Sequence, residues 1–96
     1  MIYGIYVTKE KFDIYEDGSK KNTSISQGWY MGASYNSMKS AKNSLAKVKD
    51  SLNEDFYAVT EVNSVTIKGV RESDYGGDRF APTKLEERVI FHIEKR

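Results

Sequence analysis

Ninety-six residues without cysteine, at a net charge of +1, describe one small domain that is neither disulfide-stapled nor strongly basic or acidic. The missing cysteines exclude thiolate zinc sites, iron–sulfur clusters and cysteine nucleophiles. The balanced charge lacks the basic excess of a non-specific nucleic-acid binder and the acidic excess of a DNA mimic.

No apolar run approaches the roughly 18 residues of a membrane span. Met1–Thr8 alternates like a strand and shows neither a basic n-region nor a cleavage site, so a cytoplasmic chain without membrane association is expected. The halves differ mildly, +3 over residues 1–50 and −2 over residues 51–96, which is too little to name a partner.

In chain order, residues 2–8 read as a strand, with Tyr3, Ile5 and Val7 on one face and Ile2, Gly4 and Tyr6 on the other. Lys9-Glu10 reads as a short connection. Phe12 and Ile14 alternate with Asp13 and Tyr15 in a second strand, which stops at Glu16-Asp17-Gly18-Ser19. Asp-Gly after an alternating run is a hairpin signal, because both residues tolerate positive φ. Residues 20–27 are polar and fit a ragged strand or an open loop. Gly28–Ala33 reads as a strand, its two glycines suggesting a bulge or a close approach.

One helix follows. Met38, Ala41, Leu45, Val48 and Leu52 recur at steps of 3, 4, 3 and 4, which holds a narrow apolar stripe on one side of a helix over about 37–53. Ser37 or Asn36 can cap its start, and Asn53 suits an exit through a left-handed turn. Lys39, Lys42 and Lys49 cluster on one flank of the stripe.

Residues 56–62 and 64–70 then read as strands broken near Asn63-Ser64. Arg71 to Lys84 reads as a loop of about fourteen residues holding Gly76-Gly77 and the sole proline, Pro82. Residues 87–94 close the chain as a strand with Val89, Phe91 and Ile93 on one face and His92 on the outward register.

The expected fold is therefore α+β over a single domain, 1–96. A mostly antiparallel sheet of four to six strands carries the helix on one face. Ile5, Val7, Phe12, Ile14, Val59, Val65, Ile67, Phe91 and Ile93 are the expected partners of the helix stripe.

Chemistry is sparse. His92 is the only histidine, so one chain cannot build a multi-histidine metal site, and a solvent-facing strand position accounts for it. Asp74 and Asp78 flank Gly76-Gly77 but lack the dense alternating carboxylates of a calcium loop, so no metal and no cofactor are expected. Gly28-Trp29-Tyr30-Met31-Gly32 has no phosphate-loop spacing. Seven tyrosines beside Trp29 suit three roles: half-buried sheet positions, a protein-recognition face, or base stacking.

Tyr35-x-Ser37-x-x-x-Ala41-Lys42-x-x-Leu45, followed by Phe56-Tyr57-Ala58-Val59, resembles a pattern in small proteins encoded by phages of low-GC Gram-positive bacteria. Those proteins begin with a hairpin, continue through a Ser-x-x-x-Ala helix and return in a valine-rich strand. The resemblance covers about residues 1–62, and the C-terminal part departs from it. It implies a small accessory protein of a mobile element. Some such proteins are anti-defence factors, including anti-CRISPR proteins, that bind a host nuclease or its signal molecule. No functional residue carries over.

The expectation is a non-enzymatic protein that inhibits or modulates a host protein, such as a defence nuclease, by protein–protein contact in the host cytoplasm. Trp29, Tyr30, Asp74, Tyr75, Asp78 and Arg79 are the candidate contacts, as aromatic anchors and long-loop residues. The alternatives are a nucleic-acid binder using Lys39, Lys42 and Lys49, and a nucleotide-signal-binding sponge. A homodimer stays open.

Overall fold

The computed structural model describes residues 1–75 and 81–96. Five strands form one sheet: β1 (Tyr3–Ile14), β2 (Lys20–Trp29), β3 (Ala58–Val62), β4 (Thr66–Asp74) and β5 (Lys84–Lys95). Their spatial order is β2-β1-β5-β4-β3, and every neighbouring pair is antiparallel. A single helix, α1 (Met38–Glu54), packs on one face, giving the α+β arrangement expected. Among the described residues no helix is long and apolar enough to cross a membrane.

The topology sets the helix's path. The chain leaves β2 at one edge of the sheet and must enter β3 at the other. Four strand spacings come to about 19 Å. A helix of 17 residues spans about 25 Å, so α1 makes the crossing in one oblique pass. Its stripe lands as expected: Ala41, Leu45, Val48 and Leu52 are buried against Ile5, Ile67, Val89, Phe91 and Ile93, with Met38 packed at the margin. Leu52 packs over Gly69, where a Cβ would stand in contact with Leu52 Cδ1 at 3.4 Å.

Ser37 caps the helix, its Oγ accepting from the Ser40 backbone N–H at 3.1 Å. The exit differs from expectation. The helix runs through Glu54, and the left-handed residue is Phe56, at φ +64°, not Asn53. Tyr57 N donates to Leu52 O at 2.9 Å and Phe56 N to Asn53 O at 3.2 Å. These are the two bonds of a Schellman cap, with phenylalanine where glycine is usual.

Several strand boundaries also move. Residues 3–14 are one continuous strand, so Lys9-Glu10 is no connection. The alternation therefore never resets, and Phe12 and Ile14 fall on the face opposite Ile5 and Val7, away from α1. The Asp17-Gly18 hairpin forms, with Gly18 at φ +85° and the Asp17 carboxylate accepting from both the N–H and the hydroxyl of Ser19. Those bonds hold its pKa below the usual aspartate value.

The polar run 20–27 is strand, with a bulge opposite Lys11/Phe12. Gly28–Ala33 is not a strand throughout. β2 ends at Trp29, and Tyr30–Gly32 makes a 3₁₀ turn. Arg71–Asp74 is not loop either, because β4 continues through it. Tyr75 N then donates to Thr83 O at 2.9 Å, just before β5 begins.

The molecule measures 52 Å along its longest axis, and α1 covers only one end of the sheet. On the helix side the rungs read Ile67–Phe91–Val7–Gly28, then Gly69–Val89–Lys9–Ser26, then Arg71–Glu87–Lys11–Ser24. The stripe's last buried residue, Leu52, packs over Gly69. The Arg71 rung lies one step further along, at the edge of the helix's cover.

Candidate functional site

The expected contact residues do not form one cluster. Trp29 ends β2 on the face away from α1. It packs edge-to-face on Tyr6 at 5.2 Å, under the Arg96 guanidinium at 4.8 Å. A Cβ on Gly4 would stand 2.7 Å from its ring, so glycine is required beneath it. Tyr30, the next residue, turns to the helix side and packs edge-to-face on Phe91 at 5.5 Å.

Asp74 and Tyr75 sit at the other end of the sheet. Asp74 belongs to the rung of Lys84 and Ile14, whereas Trp29 belongs to that of Tyr6. Eight residues of β1 separate these rungs, about 27 Å. The Tyr75 hydroxyl donates to Asp13 Oδ1 at 3.3 Å. Asp78 and Arg79, and Gly76-Gly77 between the two aspartates, lie outside the described residues.

The tyrosines divide similarly. Tyr3, Tyr30, Tyr35 and Tyr57 pack against the core, which is the ordinary role of aromatic strand residues. Lys39, Lys42 and Lys49 are exposed on the flank of α1. Lys42 and Lys49 border a hollow of about 180 Å³ completed by Leu45, Ala46, Ile67 and the Val62–Ser64 turn, with no aromatic ring in its lining. His92 is exposed as expected, its Nδ1 2.8 Å from Thr66 Oγ1.

The structure instead assembles a groove on the helix side. One cavity of about 480 Å³ lies between the C-terminal half of α1 and Tyr30, floored by Val89 and Phe91. A second, of about 270 Å³, continues from Tyr30 and Phe91 to Met31 and Ser26–Trp29. Lys9, Tyr30 and Phe91 line both, which joins them.

A three-residue network forms one wall. Tyr57 Oη donates to Glu87 Oε2 at 2.9 Å, Arg71 Nη2 donates to the same oxygen at 2.6 Å, and Arg71 Nη1 reaches Asp55 O at 3.0 Å. The Arg71 guanidinium also lies over the Tyr57 ring at 4.4 Å. Burial pushes the Glu87 carboxyl up, but the two hydrogen bonds and the Arg71 charge outweigh it and leave the pKa below the usual glutamate value. Burial, then the bond to Glu87 and its charge, raise the Tyr57 hydroxyl above the usual phenol value. The wall is thus neutral Tyr57 held on an ion pair. Lys9 and Lys11 stand beside it, and among the described residues neither has a carboxylate within 4 Å.

Two bulky apolar residues have left-handed backbone, Met31 in the groove's lining and Phe56 at its rim, outside the lining of either cavity. Met31, at φ +53°, is 83% exposed and lines the smaller cavity. With Gly32 at φ +62° and Ala33 N donating to Tyr30 O, it makes a type I′-like turn whose first central position normally takes Asn, Asp or Gly. Phe56 is 87% exposed and stands between Asp55 and Tyr57, which both line the larger cavity. For an L side chain this backbone costs roughly 1–2 kcal/mol.

Sequence reasoning named Trp29 and Tyr30, which both line the smaller cavity, and missed Met31, Phe56 and the Tyr57–Arg71–Glu87 network. Arg71 and Glu87 meet only through the β4–β5 register, which one sequence does not display. Comparison with protein-family models, with curated proteins and with solved structures returns no match.

Proposed function

We propose that this chain is a small non-enzymatic binding protein that receives a partner protein in the helix-side groove. The observation that carries the reading is the display of Met31 and Phe56. Each pairs a left-handed backbone, which costs stability in the free chain, with a nearly fully exposed apolar side chain that adds nothing to it. A docked partner turns that exposed area into a gain by burying it. A methionine and a phenylalanine beside half-buried tyrosines are also the composition of a recognition patch.

The accessory-protein resemblance supplies the setting: a mobile-element protein that modulates a host protein, such as a defence nuclease, by occupying its surface. The candidate contacts shift accordingly. Trp29 and Tyr30, which line the smaller cavity, stay among them, Met31 and Phe56 join them, and Asp74 and Tyr75 move out, since neither lines the groove.

The test is site-specific photo-cross-linking in a low-GC Gram-positive host, with the cross-linker placed at position 31, 56 or 47. Lys47 is exposed on α1, and neither it nor the residue before it lines the groove, whereas both neighbours of Phe56 do. The expected result is one protein captured from both 31 and 56 and not from 47. Equal capture from all three positions, or none from 31 and 56, refutes the groove.

A further inference from the structure

The edge strand beside the groove, β2, is guarded along only half its length. Sheet edges are protected by lysines, prolines and bulges, which discourage another strand from pairing. β2 carries Lys20, Lys21 and its bulge at the hairpin end, where Asn22 Nδ2 also donates to Lys11 O and Ser24 O. From Ser24 to Gly28 it carries no charge, no proline and no bulge, and residues 24–27 are exposed.

That bare half runs beside the smaller cavity. Its helix-side residues are Ser24, Ser26 and Gly28, on the rungs of Lys11, Lys9 and Val7. All three are short, so nothing on β2 stands between those lysines and a strand added beyond it. Lys11 faces Glu87 in register and its charge helps to lower that carboxyl, but the hydrogen bonds to Glu87 come from Tyr57 and Arg71, which leaves the Lys11 ammonium without a carboxylate within 4 Å among the described residues. On the opposite face Ile25 is 62% exposed.

We infer that the bare half of β2 takes an extended acidic segment of the partner as a sixth strand. This inference rests on the proposed binding function and names the chemistry of what is bound. Backbone hydrogen bonds supply affinity, as in strand addition generally. Alternation then puts the segment's acidic residues on the helix side, toward Lys9 and Lys11, and its apolar residues on the side of Ile25. A second copy of β2 is a poor occupant, because its only charged residues are lysines.

The test uses the full chain and a short peptide alternating valine with glutamate, read by amide hydrogen exchange. Three controls are a valine–lysine peptide, the glutamate peptide N-methylated at alternate amides, and a short single-stranded oligonucleotide. The expected result is slowed exchange within Ser24–Gly28 with the glutamate peptide, at about threefold to tenfold greater affinity than with the lysine peptide, as two exposed ion pairs allow. N-methylation abolishes it, since the charge remains and the ladder is lost. Lys9→Glu with Lys11→Glu reverses the preference.

Equal protection by both peptides, protection only by the oligonucleotide, or protection that appears in the free chain as its concentration rises each overturns the inference. The last two assign the edge to nucleic acid and to a second copy. Cross-linking from positions 31 and 56 with β2 unprotected leaves the groove reading intact and removes the sixth strand alone.

Discussion

The two ends of the sheet are built from the same strands on different terms. At the covered end, Ile5, Ile67, Val89, Phe91 and Ile93 meet the stripe of α1, and stability comes from apolar burial. At the hairpin end, Phe12 lies under the Arg88 guanidinium at 4.7 Å. Glu86, 5% exposed and the one buried charged residue among those described, is held by Lys20 at 3.1 Å and by Arg88 at 2.9 Å. There the strands persist through pairing and charge networks, with little core behind them. The groove lies at the junction, where the helix's cover stops and the strands continue. A binding surface needs both a rigid support and exposed side chains, and this boundary provides them.

Truncation should separate the two ends most clearly. Leu45→Ala, beneath the helix and 1% exposed, is expected to cost about 2–5 kcal/mol. Leu85→Ala, half-buried beyond the helix, is expected to cost about 1 kcal/mol, because less area and packing are lost there. Urea unfolding measures both. Equal costs would mean that the hairpin end has a core of its own.

A smaller loss is expected at the back of the covered end. Gly4→Ala places a Cβ 2.7 Å from the Trp29 ring and 2.8 Å from Arg96 Cδ. Relieving that overlap should cost about 1–3 kcal/mol and shift the emission of Trp29, the chain's single tryptophan. An unchanged spectrum and melt would show that Trp29 is not seated on Tyr6.

Phe56→Gly runs the other way. Glycine takes the left-handed cap without a Cβ clash, so the variant should be more stable by about 1 kcal/mol. Loss of stability would show that the phenylalanine packs on its own chain.

The smallest effect lies in pH. Because the folded Glu87 pKa is lowered, its contribution is fully present above about 4.5, the ordinary glutamate value, and is lost as pH falls through the folded value. Tyr57 has the opposite sign: its pKa is raised, so its contribution is present below about 10 and is lost as pH rises through the folded value. Glu87→Gln should flatten the acid limb of the stability profile and Tyr57→Phe the alkaline limb. Unchanged limbs would show the network to be loosely formed in solution.

The helix stripe and the hairpin turn were the legible parts. A 3.6-residue period over Met38–Leu52 reports burial directly, and Asp17-Gly18 reports its turn through its own φ preferences. Two stretches of strand were misread for the converse reason. Lys9-Glu10 and residues 20–27 are strands whose partners are other strands' backbones, so no apolar alternation marks them. Met31 and Phe56 contradict local preference, since sequence rules assign left-handed positions to glycine or asparagine; Asn53 was the expected exit for that reason. The Tyr57–Arg71–Glu87 network depends on the pairing of β4 with β5, which only the folded topology supplies.

The account turns on whether Phe56 is kept for a partner at the chain's own expense. The direct measurement is capture by the chain cross-linked through position 31, with and without Phe56→Gly. The predicted result is that the variant, more stable than the parent, loses most of its capture. Undiminished capture by the stabilised variant would contradict the groove as the binding site.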